Sequence, residues 1–154
     1  GNVLADFTVR KREAISPQLA YLMAQMMQGV VNEGTGSRLR AVYNLKGQIA
    51  GKTGTTNDNS DGWFMSFTPS LVCGTWVGGE ERSIHFDRMA VGQGASMALP
   101  IAGMSWQKVF ADPTLPYNEN EQFFYPEDYD PCGSKTYLPQ NEIITESEES
   151  GFFD

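Results

Sequence analysis

The residues of this chain best suited to chemistry are Lys52-Thr53-Gly54-Thr55-Thr56, a cation beside three hydroxyls with one glycine among them. The surrounding run, Gln48–Thr56, reads as a strand, and side chains along a strand alternate between its two sides. Thr53 and Thr55 therefore share a side, where two hydroxyls can converge on one anionic group. Lys52 adds an ammonium at a fixed depth on the same strand. Gly54 removes a side chain where another backbone must approach closely. On its own the pentapeptide serves equally well as an exposed turn or an edge strand. Gly51-Lys52-Thr53 also echoes the end of a phosphate-binding loop. That motif requires glycine at position 46, which is lysine here, and a helix rather than a hairpin afterwards, so the phosphate reading fails.

Other reactive residues carry less. Ser105-Trp106-Gln107-Lys108 has the S-x-x-K spacing of a serine nucleophile with its lysine. Its Ser and Lys fall off the apolar face of their helix and are expected to look to solvent. Cys73 sits in an apolar run and is expected to pack as a buried thiol. Cys132 lies in a turn between Pro131 and Gly133, and no disulfide between the two is expected. His85, the single histidine, is expected in a loop without a role. There is no CxxC pair and no Cys/His ligand set, so no metal site and no cofactor is expected.

The elements that must position these residues follow from local signals. Val3 to Val9 alternate loosely, as a short strand would. Ser16-Pro17 marks a helix start, a hydroxyl cap followed by proline at the first helical position. Leu19, Leu22, Met23, Met26 and Val30 then recur at helical spacing, a stripe expected to face the core, and Gly34 offers a stop. Gly34 to Gly47 reads as a connector with one helical turn near Arg38. Three strand-like runs follow, Gln48–Thr56, Gly62–Thr68 and Leu71–Gly78, joined so briefly that they must be antiparallel neighbours. A glycine-bearing loop occupies the stretch from Gly78 to Gly94. A last helix starts near Leu99-Pro100, with Leu99, Ala102, Trp106 and Val109 on one face.

The stretch from Ala50 to Gly78, with Trp63-Phe64, Thr68-Pro69 and Trp76-Val77-Gly78 around K-T-G, resembles the third-strand signature of penicillin-binding proteins. It is most similar to the class A enzymes that join a glycosyltransferase to a transpeptidase. Ser16-Pro17, Ala20-Tyr21-Leu22-Met23 and Gly29-Val30-Val31 through Gly34-Thr35-Gly36 resemble the family's segment before K-T-G. Gly92-Gln93-Gly94-Ala95-Ser96 with Ala98-Leu99-Pro100-Ile101 resembles its closing loop and helix. The likeness implies that Lys52 and Thr55 are catalytic. It also implies that Lys52, Thr53, Gly54, Thr55 and Thr56 bind the substrate, a D-Ala-D-Ala stem peptide or a β-lactam, through its carboxylate. The Thr55 N–H would be an oxyanion-hole donor, a role typically worth ~3 kcal/mol. The fold implied is α+β, an antiparallel sheet with packed helices forming part of a penicillin-binding/serine β-lactamase-like transpeptidase fold.

The family needs S-x-x-K and S-x-N before K-T-G, and neither occurs upstream of Lys52. The expected protein is thus one wall of a peptidoglycan D,D-transpeptidase without its nucleophile, inactive alone, cut from a parent that acts outside the cytoplasmic membrane. That parent would carry a glycosyltransferase domain and an N-terminal membrane segment. The surface left by the missing half is expected to be apolar and covered by dimerisation or by the tail. A D,D-carboxypeptidase or β-lactamase relative is one competing reading. A non-catalytic interaction module using an acidic tail is another.

Bulk properties set the frame. The chain has 154 residues, the size of one ordinary domain, and enough apolar residues to fill a core. It opens on glycine and has neither a signal-peptide pattern nor an apolar run near the ~20 residues of a membrane helix, as expected of a segment from a longer chain. Two parts are expected, the transpeptidase portion over 1–112 and an acidic, Pro-, Asn- and aromatic-bearing tail over 113–154. Residues 1–118 carry nine acidic and ten basic side chains, and 119–154 carry ten acidic and one basic, so the net charge of −8 resides in the tail. A near-neutral body with an acidic tail excludes an electrostatic nucleic-acid binder and adhesion to anionic lipid. The tail is expected to lie on the body through Phe123, Phe124, Tyr125 and Tyr129.

Overall fold

A computed structural model describes residue 12, residues 14–127 and residues 129–130. The strand expected at Val3–Val9 and the turn around Cys132 lie outside the described residues.

The Ser16 hydroxyl accepts the Leu19 N–H at 3.3 Å and opens helix α1, Pro17–Asn32, with proline in its first turn. The helix closes where Glu33 and Gly34 return their N–H groups to the Gly29 and Val30 carbonyls. A single turn, α2 (Arg38–Ala41), interrupts the connector that follows. Arg40 fixes that connector: its guanidinium donates to Asn32 Oδ1 at 2.9 and 3.0 Å and to the Leu45 carbonyl at 2.7 Å. Burial pulls its pKa below the usual guanidinium value, opposed by the charge of Glu119.

The strands are β1 (Ala50–Thr55), β2 (Asp61–Phe67) and β3 (Val72–Gly78), in the order β1-β2-β3 with both pairs antiparallel. The β1–β2 turn is a 3₁₀ segment over Asn57–Asn59, where Asp58 and Asn59 take φ of 58° and 55°, a region short polar side chains tolerate. Pairing Thr53 with Phe64 and Phe64 with Thr75 fixes the two faces. Thr53, Thr55, Phe64, Ser66, Thr75 and Val77 lie on one; Lys52, Gly54, Trp63, Met65 and Trp76 lie on the other.

The first face packs against the C-terminal helices α4 (Gly94–Met97) and α5 (Leu99–Ala111), and the short α3 (Met89–Gly92) lies against α4. The stretch expected as continuous loop thus holds two short helical turns. Phe64, Leu39, Ile49, Leu99, Val31 and Trp106 form the buried core. The Trp106 indole N–H donates to Ser66 Oγ at 2.9 Å, and Ser66 Oγ lies 3.3 Å from the Cys73 carbonyl, so the polar groups within the core are paired.

Three expectations need correction. The α1 stripe does not face the core: Leu19, Leu22, Met23 and Met26 are 36–62% exposed. The helix is apolar on two sides and lies along β1 with its small-residue side, burying Ala24 and Val31. No described element covers the bulkier side. Ser105 is half-buried rather than solvent-facing, because it lies beside Leu71–Gly74 at the start of β3, and its hydroxyl donates to the Ile101 carbonyl at 2.8 Å. Lys108 on the same helix is exposed. Cys73 is half-buried, and desolvation pushes its thiol up.

The tail does pack on the body up to residue 130. Phe123 meets Phe67 edge-to-face at 5.6 Å, and Tyr21 of α1 meets Tyr125 and Tyr129 at 5.2 and 4.9 Å. The Tyr129 hydroxyl donates to Gln25 Oε1 at 2.6 Å, and the Phe123 N–H donates to Gln48 Oε1 at 2.8 Å. Phe124 points outward, 74% exposed.

Candidate functional site

Strand β1 is an edge of the sheet, and that decides which of its groups are available. The Thr56 N–H donates to the Asp61 carbonyl at 3.1 Å, which makes this a hydrogen-bonded pair at the end of the ladder. Antiparallel pairs alternate, so Gly54, Lys52 and Ala50 are bonded to β2. The N–H and C=O groups of Thr55 and Thr53 consequently turn away from β2, toward the side with no further strand among the described residues.

Thr53 and Thr55 project to the same side, as the period of two requires, and each hydroxyl has a partner from a distant segment. Thr53 Oγ1 lies 2.9 Å from Thr35 Oγ1, in the turn after α1. Thr55 Oγ1 accepts the Gly94 N–H at 3.0 Å, from the start of α4. Lys52 starts from the opposite side and is exposed, and its ammonium reaches round to donate to the Thr53 carbonyl at 2.7 Å on the open edge. An ammonium, two hydroxyls and an outward N–H are thus brought to one edge.

Thr56 stands apart from this group. Its hydroxyl lies 3.0 Å from both Ser60 Oγ and Asp61 Oδ2 and accepts the Asp61 N–H at 2.9 Å, so it closes the hairpin. Asp61 is held below the usual carboxylate range, first by the Trp76 indole N–H at 2.8 Å and then by Thr56.

Gly54 offers no side chain at the edge, and Gly94 packs directly beneath it: a Cβ on Gly94 would come within 2.3 Å of the Gly54 carbonyl oxygen and 2.5 Å of that of Trp63. Thr35, Arg38 and Gly94 bear on the site, and the sequence assigned them no role. The signal was there only in part, since Thr35-Gly36 and the Gly92–Ser96 stretch belong to the family-like flanks. Ser105 lies on α5 against β3, beside Leu71–Gly74, well removed from the β1 edge. Among the described residues no group of three or more His, Cys, Asp or Glu could hold a metal ion.

An edge strand that presents a cation, two hydroxyls and an outward N–H offers hydrogen-bond donors to an extended chain that carries an anionic group. Residues 5–76 match the penicillin binding protein transpeptidase domain. Two similar proteins are both named Penicillin-binding protein 1A. That of Neisseria meningitidis serogroup B is 41% identical over 93 residues, and that of Pseudomonas aeruginosa is 40% identical over 87 residues. These matches take in 58% and 56% of this chain but only 10% of each relative. The crystal structure of Penicillin-Binding Protein 1A from Haemophilus influenzae superposes with a TM-score of 0.61 at 26% identity, over 73% of this chain and 17% of that one. The described architecture of helices on a three-stranded antiparallel sheet is therefore part of a transpeptidase fold. No described helix is long and apolar enough to cross a membrane.

Proposed function

We propose that this chain forms the substrate-carboxylate and oxyanion wall of a serine-type peptidoglycan D,D-transpeptidase. The observation that carries the reading is the open edge of β1, where the Thr55 N–H, the Thr53 and Thr55 hydroxyls and the Lys52 ammonium converge. The acyl donor is a D-Ala-D-Ala stem peptide, and a β-lactam takes its place as an inhibitor. A serine hydroxyl from outside this chain attacks the carbonyl carbon of the penultimate D-Ala. The peptide C–N bond breaks, the terminal D-Ala leaves with a proton, and the acyl group passes to an amine of a second stem peptide. Lys52 and the two hydroxyls hold the donor's carboxylate, and the Thr55 N–H stabilises the oxyanion.

Both relatives are named Penicillin-binding protein 1A, which supports a transpeptidase over a carboxypeptidase or β-lactamase. Phe123, Tyr125 and Tyr129 of the tail pack on the chain's own body, which favours the transpeptidase reading over a docking module. The parent's site is on the outer side of the cytoplasmic membrane, where peptidoglycan is. The open α1 stripe is the surface through which the separated chain would pair with a second copy.

Fluorescent penicillin tests the reading. The separated chain should give no labelled band that survives denaturation, because its only S-x-x-K, at Ser105, lies away from the site. In the full-length protein, Lys52→Ala should cut the second-order acylation rate at least tenfold; unchanged labelling would remove Lys52 from the mechanism.

A further inference from the structure

We propose that the turn after α1 positions the donor hydroxyls: Thr35 orients Thr53, and Arg38 orients Thr55 through the Gly94–Ala95 turn. The inference rests on the assignment of Thr53 and Thr55 to the donor's carboxylate. A carboxylate only accepts hydrogen bonds, so each threonine must spend its O–H proton outward, which leaves its oxygen lone pairs to accept a proton from behind. Both have a partner placed to supply one. Thr35 Oγ1, 2.9 Å from Thr53 Oγ1, acts as the donor when Thr53 donates to substrate. The Gly94 N–H, 3.0 Å from Thr55 Oγ1, can only donate, so the Thr55 proton is left for the substrate. Each relay is a chain of aligned donors, in which every bond strengthens the next.

The Gly94 donor is itself held from the same turn. Arg38, three residues after Thr35, places its guanidinium 3.2 Å from the Ala95 carbonyl. Ala95 follows Gly94, whose Cα lies against the Gly54 and Trp63 carbonyls with no space for a side chain. A short stretch, Thr35 to Arg38, thus sets the direction of two hydroxyl protons on a strand that begins twelve residues further along. Neither side chain touches the reacting atoms, so both are positioning residues.

The test uses the full-length protein and the second-order acylation rates of a penicillin and its carboxylate methyl ester, which lacks the charged acceptor. Thr35→Val and Arg38→Gln should each lower the acid-to-ester rate ratio about tenfold, the effect of one charge-assisted hydrogen bond. Thr35→Ser keeps the hydroxyl and should stay within twofold of the parent. Thr35→Val should add nothing in a Thr53→Val background, nor Arg38→Gln in Thr55→Val. An acid-to-ester ratio unchanged in Thr35→Val and Arg38→Gln overturns the proposal, since both rates then fall together through structure alone or not at all. Additive loss for Arg38→Gln on Thr55→Val overturns its indirect role in favour of a direct charge effect. If Thr53→Val and Thr55→Val themselves leave the ratio unchanged, the carboxylate assignment fails first, whatever Thr35 does.

Discussion

At the residue scale the site depends on one contact that tolerates no side chain. Gly94 lies so close to β1 that an added methyl would overlap the Gly54 carbonyl oxygen, a rigid backbone atom that cannot swing aside. Gly94→Ala must therefore push the α4 turn off the strand and withdraw its N–H from Thr55. In the full-length protein this variant should acylate at least tenfold more slowly, read with fluorescent penicillin, and melt lower than the parent. The Lys52–Thr55 group itself was legible in the sequence, because period-two alternation fixes which side chains share a side. The partners of its hydroxyls were not legible. Thr35 and Gly94 lie 18 and 39 residues from their threonines, and no local rule links such distant positions.

Elements hold the site by closing the hairpin behind it. Asp61 starts β2, takes the Trp76 indole from β3 and the Thr56 hydroxyl from the end of β1, and so ties three strands at one corner. These bonds favour its ionised form and depress its pKa below the usual 3.8. A depressed carboxylate adds stability that is present above its unfolded value and lost as pH falls through the folded one. The chain's melting temperature should therefore decline on acidification from pH 5 toward pH 2. In Trp76→Phe, which removes the largest cause, the decline should be shallower and the neutral-pH melting temperature lower. The strands were legible from β-branched and aromatic runs between turn residues, with ends shifted by one or two positions. The packing side of α1 was not. Its sequence is apolar around most of its circumference, and only the position of β1 selects the side bearing Ala24 and Val31 for burial.

At the scale of the whole molecule, the C-terminal tail acts as a strap. Leaving α5, it crosses to Lys46 and Gln48 ahead of β1, packs Phe123 on Phe67, and places Tyr125 and Tyr129 around Tyr21 on α1. Ser70 and Glu121 are hydrogen-bonded along the way. The strap joins the two elements that flank the site, α1 and the hairpin. Ending the chain at residue 112 should cost about 2–4 kcal/mol, since each edge-to-face ring pair contributes roughly 0.5–1.5 kcal/mol beyond its buried area. In a chain of this size that should lower the melting temperature by at least about 5 °C, measured calorimetrically. The aromatics spaced along this stretch outweigh its charge because the body offers rings to receive them.

Read alone, the residues give the strand that carries Lys52, Thr53 and Thr55, and its hairpin. Those properties depend on residue order and on the geometry of a single extended strand. Only the folded chain shows which distant residues meet the Thr53 and Thr55 hydroxyls, which side of α1 is left uncovered, and which rings receive Phe123, Tyr125 and Tyr129. Each of these depends on a contact between segments far apart in the chain, where distance in space bears no fixed relation to distance along the sequence.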